Sequence, residues 1–153
     1  MAVGSDFAEL ISELPKWNNG AGIDPESWVG CSGSFELAIG YSLVFWPRFV
    51  EIDGYVLREG CSRQNLQSWK AGNDCERQSI EAVMNHLHIA DIQHFEAAKN
   101  EAQLRFLGRV LKEIHETKLQ RDFPNRAFTV TFNDEPGLDL IEYQLTFYQN
   151  QIA

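Results

Sequence analysis

Apolar residues recur at helical spacing in several stretches of the chain, and each such stretch predicts a helix. The first runs from Phe7 to Leu14, with Ser5 as its N-cap and Pro15 as its end. The stretch 34–45 is apolar nearly all round, which is typical of a helix buried on every side. We therefore predict that 34–45 forms a buried central helix.

Further helix signals lie on either side of that stretch. Asp24-Pro25-Glu26 combines a capping side chain, a proline at the first helical position and an acid in the first turn. Shorter helices are predicted over 62–69 and after Glu76. The longest predicted helix runs from about Phe95 to Gln120, with apolar residues on one side and charged residues on the other.

Strands are indicated where the period of the apolar residues changes to two. The stretch 49–58 holds two apolar-rich runs around Asp53-Gly54, a pair typical of a type I′ hairpin turn; one longer strand bulged at Gly54 is the alternative. Residues 128–132 and 141–148 alternate apolar and polar positions and are joined by a polar loop. The sequence therefore predicts an α+β fold in one globular domain, residues 1–153. It has an antiparallel sheet of about four strands in two hairpins, with four to five helices packed against it.

The charge of the chain narrows the range of partners. Among 153 residues, 22 are acidic and 13 are basic, so the net charge is −9. The first 60 residues carry −6 of it and the remainder −3. Such a surface repels nucleic acid and anionic lipid, attracts a basic protein and speeds their encounter. Solubility alone is the simpler explanation of the same charge.

Cysteine content and hydropathy bear on the compartment. Cys31, Cys61 and Cys75 form no metal-binding spacing and no even-numbered framework, so reduced thiols are expected. The first residues lack the basic and apolar regions of a signal peptide. The longest apolar-rich stretch, 35–46, is too short to span a bilayer. A soluble, cytoplasmic protein is therefore expected.

One histidine cluster supports a metal hypothesis. His86, His88, Asp91 and His94 have the spacing H-x-H-x-x-D-x-x-H, and imidazole and carboxylate groups suit zinc or another transition metal. On a continuous helix His86 and His88 would point about 200° apart, so they share a metal only if the helix ends near Leu87. Solvated loop or capping residues are the alternative. A metal-dependent enzyme is accordingly the second functional hypothesis.

Acidic and aromatic residues near the two hairpins suggest a docking surface. Acids can steer a basic partner, and exposed aromatic side chains can anchor it. Strand alternation places Tyr148 opposite the apolar face, whereas the four tryptophans suit either the core or an interface. A solvated acidic rim is the simpler interpretation. The candidate partner-binding residues are Glu51, Asp53, Asp134, Glu135, Asp139, Glu142 and Tyr148.

In general character the chain resembles bacterial immunity proteins. It is small and acidic, and it carries no P-loop, dinucleotide fingerprint, H-E-x-x-H or zinc ribbon. Such proteins are cytoplasmic inhibitors that neutralise a cognate toxin, often a basic nuclease. The likeness is one of size and charge, so it implies occlusion of a basic toxin without assigning residues. No cofactor is predicted, and a homo-oligomeric structural subunit is the third hypothesis.

Overall fold

The computed structural model of the protein describes residues 7–72 and 76–151. The chain divides into two compact units, an N-terminal unit up to Ser42 and a C-terminal unit from Leu43. The single domain over 1–153 stays a prediction, and each unit is described by itself. The α+β class is confirmed, with five α-helices and two antiparallel sheets among the described residues. The strands form sheets of two and three strands, not one sheet of about four.

The predicted first helix is wrong, because the chain from Phe7 forms only isolated turns. Ile11 N–H donates to Phe7 O at 2.8 Å, after which i→i+3 bonds lead into a 3-10 helix at Leu14–Lys16. A stretch this short is below the length at which a helix persists alone. Pro15 also lacks the N–H that would donate to Ile11 O. The predicted cap, Ser5, lies outside the described residues.

Two helices follow, both of which begin in the N-terminal unit. Helix α1 spans Pro25–Ser32, and the Asp24 side chain accepts a hydrogen bond from Ser27 N–H at 2.9 Å, which confirms the predicted start. Helix α2 spans Phe35–Phe45 and begins after Ser34, whose hydroxyl accepts from Leu37 N–H at 3.2 Å. Its last three residues belong to the C-terminal unit.

The predicted burial of α2 is wrong. None of its residues is buried, and the side chains of Phe35 and Ile39 remain 87% and 62% exposed. Leu14 is the only buried residue among described residues 7–42. An all-apolar helix is buried only when other elements surround it. The N-terminal unit offers α1, itself without a buried residue, and two short 3-10 helices.

The C-terminal unit begins with the predicted hairpin. Strands β1 (Phe49–Ile52) and β2 (Tyr55–Arg58) pair antiparallel, with Phe49 opposite Arg58. Asp53 and Gly54 between them have φ values of 52° and 83°, the positive values that a type I′ turn requires. The hairpin prediction is confirmed, and the bulged single strand does not form.

The second sheet has three strands in the order β3-β5-β4. Strands β4 (Phe128–Phe132) and β5 (Gln144–Gln149) form the second predicted hairpin, and β3 (Leu87–His88) pairs with the other side of β5. The strand predicted from Ile141 starts later, because Leu140–Glu142 is a 3-10 helix that leaves Ile141 51% exposed. Asp139 N–H donates to the Glu142 side chain at 3.0 Å and holds that turn.

Three helices complete the C-terminal unit: α3 (Arg63–Gly72), α4 (Arg77–Met84) and α5 (Glu101–Asp122). Helix α5 starts later than predicted, because Asn100 and Gln103 form a capping box in which each side chain accepts from the other's backbone N–H. Across 7–72 and 76–151, none of the helices has both the length and the apolar character needed to cross a membrane.

The β1–β2 hairpin lies between two apolar clusters. Val56 points into the larger cluster and its neighbour Leu57 into the smaller one, as alternation along a strand requires. The smaller cluster includes Leu66 of α3 and Ile80 of α4. The larger one is built mainly from α5 and the three-stranded sheet; its buried members are Val56, Ile89, Ala90, Leu104, Leu111, Leu119, Val130, Tyr143, Leu145 and Phe147.

Candidate functional site

The four residues of the histidine cluster form two pairs. Helix α4 ends at Met84, so His86 and His88 come together with their ring centroids 5.1 Å apart. His94 instead contacts Asp91, with Nδ1 3.5 Å from the carboxylate. Within 7–72 and 76–151, no group of three or more His, Cys, Asp or Glu side chains is placed to hold a metal ion. The predicted turn after α4 occurs, but the four side chains do not converge.

Asp134, in the loop after β4, is held by two arginines of α5. Arg105 Nε and Arg109 Nε each donate to its carboxylate at 2.7 Å. The hydrogen bond from Arg105 is the main reason that the pKa of Asp134 lies below its ordinary value. Asp134 therefore already has intramolecular partners, which a docking protein would have to share or displace.

The acids of the first hairpin are paired in the same way. Arg126 Nη2 donates to Glu51 at 2.7 Å, and Arg63 Nη1 donates to both oxygens of Asp53 at 2.9 Å. Glu51 lies in β1, whereas Asp53 lies in the turn with a positive φ. The structure brings these acids to arginines rather than to each other.

The remaining predicted residues lie near β5. The Glu135 backbone carbonyl accepts from Tyr143 Oη at 2.7 Å, and Asp139 and Glu142 close the 3-10 turn. Tyr148 is half-buried opposite Thr129. Most of the predicted partner-binding residues thus have structural contacts of their own, and their role in docking stays a prediction.

None of the four tryptophans is buried. Trp17 and Trp28 are half-buried, and Trp28 Nε1 donates to the Glu13 carboxylate at 3.0 Å. Trp46 and Trp69 are 43% and 40% exposed. The core interpretation of the tryptophans is therefore wrong for all four, which leaves them on or near the surface.

Helix α2 exposes apolar side chains on two sides. At about 100° per residue, Phe35 and Ile39 lie about 40° apart on one side. Leu37 lies about 200° from Phe35 and therefore faces the other way. The side of Phe35 and Ile39 is the more exposed: these side chains are 87% and 62% exposed, against 56% for Leu37. We call Phe35 and Ile39, which both belong to the N-terminal unit, the α2 stripe.

Charge is distributed differently in the two units. Positions 1–42 hold six acidic residues and one basic residue, Lys16, hence a net charge of −5. Positions 43–153 hold sixteen acidic and twelve basic residues, hence −4 over a much longer stretch. Every ion pair between described residues lies in the C-terminal unit. The described carboxylates of the N-terminal unit, among them Glu26 and Glu36, therefore have no ion-pair partner among the described residues.

Sequence reasoning missed a buried polar bridge on α4. Glu81 is fully buried and accepts from Val56 N–H at 2.8 Å and from Gln149 N–H at 3.0 Å. One turn later Asn85 donates to Val56 O at 3.0 Å and accepts from Arg58 N–H at 3.0 Å. The two side chains satisfy backbone groups that a further strand would otherwise pair. The signal in the sequence was the spacing of Glu81 and Asn85, two polar residues four positions apart on the apolar side of a predicted helix.

No family model, no curated protein and no solved structure matches this chain. Function is therefore inferred from the chain's own residues. Two features stand apart from its ordinary structural contacts: the exposed α2 stripe in an acidic unit, and a group of basic and aromatic side chains between β1–β2 and α5.

Proposed function

We propose that this protein binds a basic protein and that α2 is the element it presents. The observation that carries the proposal is the α2 stripe, two large apolar side chains each more than half exposed on one side of one helix. Exposed apolar patches on folded proteins mark interaction sites more often than isolated apolar residues do. Burying each of these side chains would contribute roughly 1.5–3 kcal/mol.

The spacing of the stripe favours insertion of the helix into a groove. Phe35 and Ile39 are four residues apart, which is the spacing of successive anchor residues when an amphipathic helix binds in a groove. Leu37 on the opposite side adds apolar surface for the second wall of such a groove. The complementary surface is therefore an apolar groove and not a flat sheet.

The charge of the N-terminal unit indicates which residues should surround the groove on the partner protein. Glu9, Glu13, Glu26 and Glu36 have no ion pair with any described residue, and Lys16 is the unit's single cation. Lysines or arginines around the groove would complement these charges and accelerate association at low salt. Two copies of this chain would instead bring like charges together, which disfavours a homodimer through this helix.

In its sharpest form the proposal is neutralisation of a basic toxin by occlusion, as bacterial immunity proteins achieve it. The net charge of −9 and the small size support that form. The acids of the hairpins remain its second candidate surface. Because Glu51, Asp53 and Asp134 are already neutralised by arginines, we place the main contact on α2.

The test compares matched variants of one helix. Full-length protein carrying Phe35→Gln and Ile39→Gln is compared with wild type and with Leu37→Gln, since glutamine preserves helix propensity. Each is used to capture partners from the source organism's lysate, and the captured protein is then purified for association and dissociation rates at several salt concentrations. A second set replaces Asp134, Glu135, Asp139 and Glu142 with Asn or Ser.

We expect one basic partner that wild type captures stoichiometrically and the double variant binds at least about a hundredfold more weakly, with Leu37→Gln less affected. Association should slow as salt rises. Undiminished binding by the double variant would contradict the role of α2. Loss of binding only in the hairpin set would move the surface to those acids. Light scattering that shows a wild-type dimer abolished by the double variant would identify a second copy as the occupant.

A further inference from the structure

Arg58, at the end of β2, is a partly buried cation without an acidic partner. Its backbone N–H donates to Asn85, but its guanidinium makes no hydrogen bond or ion pair with any described residue, and Nη1 is fully shielded from solvent. Burial lowers the pKa of Arg58 from its ordinary value, which reflects the cost of holding that charge there. A buried, unpaired guanidinium is costly, so this position favours an anion.

His115 of α5 supplies an unused acceptor beside it. The ring is fully buried, and Nδ1 lies 2.7 Å from Leu111 O, so Nδ1 carries the proton and donates. Nε2 is therefore a bare lone pair, and it too is buried without a partner among the described residues. Burial, with a smaller effect from Arg58, lowers the pKa of His115 to about 4, which keeps the ring neutral at neutral pH.

Phe49 is a neighbour of both Arg58 and His115. Phe49 lies directly opposite Arg58 in the hairpin, and its ring centroid is 5.9 Å from that of His115. Lys118 Nζ lies 5.3 Å from the Phe49 ring and 5.6 Å from the Trp46 ring. All of these residues belong to the C-terminal unit. They form one group in which cations alternate with aromatic rings.

Positive charge exceeds negative charge in this group. Arg121 stacks on Trp46 at 5.7 Å with no acidic partner among the described residues, and only Lys118 has one, Asp122 at 2.6 Å. Exposure increases from His115 (0%) through Lys118 (7%) to Trp46 (43%). The group therefore runs from a buried end at His115 to an exposed end at Trp46 and Arg121.

We propose that Arg58 and His115 bind a small oxyanion that also carries a hydroxyl group, with Lys118 and Arg121 adding positive charge toward solvent. The guanidinium donates to the charged oxygen, and His115 Nε2 accepts from the O–H of the same ligand. A phosphate or an α-hydroxycarboxylate meets both requirements, whereas a simple carboxylate or chloride meets only the first. This site is independent of the partner-binding role of α2.

The test is a titration of full-length protein at constant ionic strength with inorganic phosphate, lactate, acetate and chloride. Thermal unfolding and the NMR resonances of the His115 imidazole are followed together. Phosphate or lactate should raise Tm to a plateau and shift the Nε2 resonance, and which of the two does so identifies the ligand class. Acetate, which lacks the hydroxyl, should bind roughly tenfold more weakly.

Arg58→Lys keeps the charge but removes the planar fork, and should weaken binding roughly tenfold. Arg48→Lys is the matched control, because Arg48 is an exposed arginine at 4.0 Å from Glu59 in the same hairpin region. If Arg58→Lys fails to fold, Arg121→Gln at the exposed end should weaken binding at least twofold. Equal effects of phosphate, lactate and chloride, or unchanged affinity in these variants, would overturn the proposal and leave a bridging water as the partner of both atoms.

Discussion

The N-terminal and C-terminal units differ in how far they bury their apolar side chains. The C-terminal unit buries them in two clusters on either side of one hairpin and pairs its surface charges. The N-terminal unit buries Leu14 alone among described residues 7–42 and leaves the most apolar helix of the chain in solvent. The difference teaches that hydrophobicity serves stability in the C-terminal unit, whereas in the N-terminal unit it leaves apolar surface exposed, for which we propose a role in recognition.

The largest expected effect concerns the buried hydrogen bonds of Glu81 in the C-terminal unit. Glu81→Ala would leave the Val56 and Gln149 N–H groups buried without acceptors. We expect a loss of about 3–5 kcal/mol in the free energy of unfolding, measured by urea denaturation. Glu113→Ala, an exposed acid on α5, is the control and should change stability by less than about 0.5 kcal/mol. A loss below about 1 kcal/mol for Glu81→Ala would show that the polar bridge is dispensable.

Acid sensitivity should also originate in the C-terminal unit. Because His115 has a pKa of about 4 when folded and 6.5 as its ordinary value, the unfolded chain binds a proton that the folded chain does not between those values. Stability therefore falls as pH drops through that window, by about 3 kcal/mol in all. In His115→Gln this part of the pH dependence should disappear, as urea denaturation across pH 4–7 would measure. If the free energy of unfolding of His115→Gln still fell with the same slope between pH 7 and pH 4, groups other than His115 would be responsible for the acid sensitivity.

Hydrogen exchange compares the two units directly. A segment with few buried contacts opens locally at low cost, so amides of α1 and α2 should exchange at least roughly a hundredfold faster than those of α5 and β5. Mass spectrometry of exchanged peptides resolves these elements. Equal protection in both units would show that the N-terminal unit is as stable locally as the C-terminal unit. Protection of α2 that rises only when partner is added would sharpen the contrast between the two units.

The smallest expected effect concerns the stability of the α2 stripe variants. Phe35→Gln and Ile39→Gln replace exposed side chains, so each should change the free energy of unfolding by less than about 0.5 kcal/mol. Urea denaturation of the same protein samples used for binding provides the measurement. Loss of binding with unchanged stability would separate recognition from folding. A loss above about 2 kcal/mol would mean that α2 is packed in solution.

Local elements were predictable wherever short-range chemistry decides them. Asp53-Gly54 specified its hairpin turn, Asp24-Pro25 specified the start of α1, and the alternation around Phe147 specified β5. The prediction of the first helix was wrong because apolar periodicity does not include the free-energy cost of nucleating a short helix ahead of Pro15. The proximity of His86 and His88 could be predicted only on the condition that α4 ends before them, and the sequence did not establish where α4 ends.

Burial and partnership were decided by the tertiary structure. The sequence by itself determined that α2 is a helix and that it is apolar, but its exposure depends on whether other elements reach it. Likewise the acids of Asp134 and Glu51 were visible in the sequence, whereas the arginines that neutralise them come from distant positions. Helical and strand periods are properties of neighbouring residues, while burial and ion pairing arise from contacts between residues far apart in the chain.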